Sequence, residues 1–131
     1  MANISITLTQ QDATASLATI RNHQVTMDRP EAKGGGNAGP MGGEMLLASL
    51  GGCFMSNMRA AIAARNDVAV EQIRLAVTAT LSSQPDRFSA IDLHVTATAD
   101  PAKLQKLVAI AGRSCIVANT LRSAVALTIS T

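Results

Sequence analysis

One stretch limits what this chain can fold into. Residues 34–40 read GGGNAGP and lead directly into MGGEMLLASLGGCFMSNMRAAIAAR, which ends at Arg65. Glycine and proline are the poorest helix formers, so the first part is a loop. The second part predicts one long helix, from about Met41 or Gly43 to Asn66. Met45, Leu46, Leu47, Ala48, Leu50, Phe54, Met55, Met58, Ala60, Ala61 and Ile62 cover most of its circumference, leaving Ser49, Ser56 and Arg59 as a narrow wet strip. A helix that is apolar on nearly every side must be buried. The rest of the chain wraps it, or a second copy covers it.

Gly51 and Gly52 lie inside this helix, where each costs roughly 0.5–1 kcal/mol relative to alanine. The return is room for a close approach by backbone, side chain or ligand. Cys53 follows immediately, with Asn57 one turn on along the same face. Cys53 reads either as a small buried apolar residue or as a reactive thiol beside a cleared surface.

With 131 residues, the chain reads as a single domain, 1–131. Phe54 and Phe88 are its only aromatic residues, so the core is aliphatic. A net charge of +2 and the lack of aromatic platforms argue against nucleic acid. The start, MANISITLTQ, has no basic and apolar signal pattern. Gly51, Gly52, Arg59 and Arg65 interrupt the apolar run, so the expectation is no membrane span and a soluble, cytoplasmic protein. Cys53 and Cys115 are the only cysteines. In a reducing compartment such a pair is more often free or redox-active than a structural bridge.

The remaining segments have clear periods. Ile4–Thr9, Ala13–Ile20 and Gln24–Asp28 alternate as strands, with turns at Gln10-Gln11-Asp12 and Arg21-Asn22-His23. Together they predict a three-stranded meander that ends at Pro30. Ile73, Leu75, Val77, Ala79 and Leu81, then Ile91, Leu93, Val95 and Ala97, form two one-sided arms about the turn Ser83–Arg87. Asp100-Pro101 opens a helix with stripe Leu104, Leu107, Val108 and Ala111, closed at Gly112. Ser114 caps a short helix beginning at Cys115. Val125, Leu127 and Ile129 make a closing strand. The plan is α+β.

If Ser114 is that cap, Cys115 sits at the positive end of a helix, where a thiolate is stabilised. On this ground Cys115 is better placed for reactivity than Cys53. Nothing resembles a metal site, since there is no CxxC and His23 and His94 are isolated. GGGNAG lacks the Lys-Ser/Thr of a phosphate loop. No cofactor is implied.

Two motifs carry a resemblance. PMGGEMLLASLGGCF resembles the P-x-E-L-L-L-A-A-L-G-x-C segment that begins the central helix of the OsmC/Ohr family, the osmotically inducible and organic hydroperoxide resistance proteins. SCIVANTL resembles that family's second cysteine motif, C-P-V-S-N-T/A-L, and MDRPEAKGGGNAGP its D-x-P...GG...GP loop. The resemblance covers nearly the whole chain. It implies an intertwined homodimer with active sites at the subunit interface. It also implies an antioxidant, stress-response thiol peroxidase that acts on organic hydroperoxides and is regenerated by a dithiol reductant. Cys53 would be the peroxidatic cysteine and Cys115 the resolving one, which reverses the ranking from the helix terminus.

The chain departs from the pattern in places. In the reductases a glutamate ten positions before the first cysteine helps to hold an arginine that activates the thiolate; that position is Gly43 here, and the acid is Glu44. One step is about 100° of helical rotation, so Glu44 either takes that role or serves as a first-turn acid on the helix dipole. The activating arginine of the reductases lies in the turn after the first strand, where this chain has Gln10-Gln11-Asp12. Arg21 and Arg29 are the substitutes within reach. Ile116 replaces the proline of the second motif. These changes resemble the OsmC-like branch. They leave open a non-catalytic protein that binds a small apolar ligand at a dimer interface, or a sulfur or acyl carrier using Cys53.

Overall fold

The structure is a computed structural model and describes residues 2–131. The chain forms two compact units, Met1–Leu46 and Leu47–Thr131.

In the first unit, β1 (Thr7–Gln10), β2 (Ser16–Ile20) and β3 (His23–Met27) form the expected antiparallel meander, in the order β1-β2-β3. The outer strand is shorter than its alternation suggested. Thr7 pairs with Thr19, and the chain turns at Arg21, which takes a left-handed φ of 55°. Little of β2 therefore remains opposite Ile6 and Ile4, and both are exposed. The β1–β2 connection is fixed by Asp12, whose Oδ1 accepts from the N–H groups of Thr14 and Ala15 at 2.9 and 2.8 Å. That side-chain turn uses the donors that the expected early start of β2 would have placed in the ladder.

The glycine loop is built around Asp28, the buried acid of this unit. Its Oδ1 accepts from Arg29 N at 2.7 Å, and its Oδ2 from Gly36 N at 3.0 Å, Ala38 N at 3.1 Å and Thr14 Oγ1 at 3.3 Å. Burial pushes the Asp28 carboxyl up, but the three backbone donors together hold it below the usual carboxylate range.

Helix α1 (Gly42–Ala63) is continuous through Gly51 and Gly52. That continuity is as the sequence predicts, but the expectation that Gly51, Gly52, Arg59 and Arg65 make the run fall short of a membrane span is corrected. By length and composition the helix is sufficient to cross a membrane, with a mean hydropathy of 1.2. Within the chain it instead turns Leu50, Phe54, Met58 and Ala61 into a core and leaves much of its remaining circumference exposed.

The second unit closes on that face. Strands β4 (Glu71–Ser82) and β5 (Arg87–Thr98) form an antiparallel hairpin with Val77 opposite Leu93. As expected, Ile73, Leu75, Val77, Ile91, Leu93 and Val95 pack on the cluster of Leu50, Phe54, Met58, Ala111 and Cys115.

Helix α2 (Pro101–Ser114) starts as read, with Asp100 Oδ2 accepting from Lys103 N at 3.0 Å. It runs past Gly112, which lies beside Phe54 and Arg122. Cys115, not Ser114, breaks the helix with extended backbone and caps α3 (Ile116–Leu121).

The closing strand expected at Val125, Leu127 and Ile129 does not form in this chain. The segment has no ladder partner, and the three side chains are 61%, 79% and 91% exposed.

Candidate functional site

Cys53 packs against the core cluster that contains Cys115, both inside the second unit. The Cys115 thiol is fully buried and caps α3, its Sγ accepting from Ala118 N at 3.4 Å. Cys53 is half-buried on α1. The backbone N–H groups of Val117 and Ile116 and the Cys115 thiol all act on its sulfur.

The first turn of a short helix presents free N–H groups whatever its side chains are. Here they serve the sulfur of another helix. The Val117 N–H is the largest influence on Cys53. Burial opposes it, the Cys115 thiol and the Ile116 N–H reinforce it, and the net result is a thiol more acidic than usual.

Cys115 shifts the other way. Burial pushes its thiol up against the pull of the Ala118 N–H, and the adjoining Cys53 raises it further. The two shifts run against the ranking from the helix terminus and in the order that the resemblance implies. A helix start does acidify a cysteine, but the beneficiary is Cys53, because Cys115 is enclosed as the cap itself.

The other candidates lie in the first unit. Arg21 sits in the β2–β3 turn and is exposed. Arg29 is also exposed, and its backbone holds the glycine loop, N–H to Asp28 and carbonyl to Asn37 N at 2.9 Å. Glu44 accepts from Met41 N at 2.8 Å, which occupies its carboxylate in the first turn of α1. Among the groups that shape Cys53 there is no guanidinium.

Asn57 is a neighbour of Cys53 on the same helix face, its Nδ2 lying 2.9 Å from the Cys53 carbonyl and 3.8 Å from the Cys53 sulfur. The i, i+4 spacing that placed it on that face was visible in the sequence. The Ile116 and Val117 donors were not, because a backbone N–H leaves no mark on residue identity.

On another side of the same core is a cavity of about 720 Å³, walled by Leu50, Phe54, Phe88 and Val108 and bordered by Arg113 and Arg122. Arg122 is already engaged with the Gly112 carbonyl at 3.1 Å and Asn119 Oδ1 at 3.2 Å.

The fold is shared with solved structures. An OsmC-like protein from Mycoplasma pneumoniae superposes with a TM-score of 0.79 at 20% identity, covering 92% of this chain and 88% of its own. An organic hydroperoxide resistance protein OsmC from Legionella pneumophila gives 0.63 at 18%, covering 93% and 92%. An organic hydroperoxide resistance protein from Elizabethkingia anophelis gives 0.59 at 19%, covering 92% and 90%. No curated protein matches in sequence. The model of one family, OsmC-like protein, matches residues 34–130, which takes in the glycine loop, both cysteines and everything between them. The chain belongs to the OsmC-like protein family.

Proposed function

We propose that the chain is a thiol-dependent peroxidase for organic hydroperoxides, with Cys53 as attacking and Cys115 as resolving cysteine. The observation that carries this reading is the thiol pair itself. The Cys53 thiol is held lower chiefly by the Val117 N–H, and the Cys115 thiol is pushed up by burial.

The chemistry balances with these two groups and a dithiol. The Cys53 thiolate attacks the outer oxygen of the hydroperoxide. The O–O bond breaks, Cys53 becomes a sulfenic acid, and the alkoxide leaves as an alcohol after taking a proton from solvent. The Cys115 thiol then attacks the sulfenic sulfur. It loses its proton, the sulfenic oxygen departs as water, and a disulfide forms. An external dithiol reduces this bond and is itself oxidised to a disulfide.

With a dithiol present, the protein should consume tert-butyl or cumene hydroperoxide, and Cys53→Ser should abolish this. Equal, slow consumption by both proteins would defeat the proposal. The same result would favour the second reading, a non-catalytic binder of a small apolar ligand, which the apolar cavity supports.

The proposal includes a homodimer. Among the groups that would favour one are Val125, Leu127 and Ile129, an alternating strand pattern without a ladder, and the uncovered apolar surface of α1. A backbone edge with apolar alternation is a template for pairing with another chain. Sedimentation equilibrium should give twice the mass of one chain, and a single-chain mass would overturn this part.

A further inference from the structure

We propose that Asn57 is a direct donor to the reacting sulfur, a neutral side chain that helps to hold the thiolate. The inference deepens the peroxidase reading and rests on Cys53 being the attacking group.

The geometry begins with the carbonyl of Cys53. The helical ladder uses one of its lone pairs, and Asn57 Nδ2 donates to the other at 2.9 Å. This bond fixes the amide orientation, because turning the group over would set two oxygens against each other. An amide nitrogen carries two hydrogens. With one directed to the carbonyl, the second is left for the sulfur, 3.8 Å away. Sulfur is large and accepts at longer range than oxygen, so the contact is one that a thiolate strengthens.

The other groups acting on Cys53 are two backbone N–H donors and the Cys115 thiol, and none of them carries a fixed charge. The hairpin side chains packed on this core, Ile73, Leu75, Val77, Ile91, Leu93 and Val95, are all apolar. Among the described residues, Cys115 is the titratable group that acts on Cys53, and Asn57 is a side-chain donor that does not titrate. A charge-assisted hydrogen bond is worth more than one between neutral groups, so Asn57 matters once the proton has left Cys53.

Asn57 has an ordinary structural role as well, since its bond to the Cys53 carbonyl ties one turn of α1 to the next. Losing that bond alone changes stability and leaves the thiol titration where it was. The test must therefore read the sulfur.

The measurement is the ultraviolet absorbance of the thiolate against pH, with the pH dependence of iodoacetamide alkylation at Cys53 alongside it. The unmodified protein, Asn57→Ala and Asn57→Asp are compared. In the unmodified protein, Cys53 ionises below the usual thiol range and Cys115 above it. Asn57→Ala should move the Cys53 transition to higher pH, so that the thiolate fraction below the transition falls about threefold to tenfold, the loss of one weak charge-assisted donor. Asn57→Asp is nearly isosteric and puts a carboxylate beside the sulfur, so it should move the transition further in the same direction. It also serves if the alanine variant is unstable. Titrations of both variants that overlay the unmodified protein would overturn the proposal, whatever their melting temperatures. The readout needs no peroxide, so a protein without peroxidase activity can still pass or fail it.

Discussion

Cys115→Ser should stop turnover after a single equivalent of hydroperoxide. The first step needs only the Cys53 thiolate and the donors around it, and the variant keeps the Val117 and Ile116 N–H groups. A serine hydroxyl can still cap α3 in place of the sulfur that accepts from Ala118 N. What disappears is the thiol that closes the disulfide. The expected record is a burst of about one peroxide per chain followed by a near-complete halt, with the sulfenic acid at Cys53 trapped by dimedone. Sustained consumption at the unmodified rate would mean that the external dithiol reduces the sulfenic acid directly and that Cys115 has no part in the cycle. Cys53→Ser should show no burst. The two variants thus separate attack from resolution.

The division between what was legible in the sequence and what was not follows a physical line. The helix, the hairpin and the Asp100-Pro101 start were readable because each depends on periodicity or on a side chain that caps its own segment. Gly112 misled because a glycine near a helix end is ambiguous. It is a stop only when the backbone turns left-handed, and Gly112 does not, so α2 continues through it to Ser114. The closing strand misled for a different reason. Alternation at Val125, Leu127 and Ile129 shows that a segment can pair, not that its partner lies in the same chain.

At the site, the motifs pointed to Cys53 as the attacking thiol, whereas the helix-terminus argument alone pointed to Cys115. Sequence order put a helix start next to Cys115. Only the passage of α1 across that start gives its free N–H groups to Cys53. Glu44 and the two arginines illustrate the converse. Their residue types suit an activating network, yet Glu44 closes a helix turn and Arg29 contributes backbone to the glycine loop.

The glycine loop should be the most sensitive part of the first unit, and the sensitivity should be sharply graded from one glycine to the next. A Cβ at Gly39 would lie 2.1 Å from the carbonyl oxygen of Thr26 in β3, and one at Gly35 would lie 2.0 Å from the carbonyl oxygen of Arg29. These obstacles are backbone atoms, so no side-chain rotation relieves them. Moving the loop instead would pull Gly36 and Ala38 off the Asp28 carboxylate, leaving a buried acid short of donors. Gly39→Ala should therefore cost about 3 kcal/mol or more, at the upper end of the usual range for overpacking. At Gly42 an added Cβ meets nothing within 4 Å. Gly42→Ala removes a helix-disfavouring residue from the first turn of α1 and should be neutral or stabilising by up to about 1 kcal/mol. Urea denaturation of the two variants beside the parent protein measures the contrast. Equal stabilities would mean that the loop is not held against β3 and that Asp28 does not organise it.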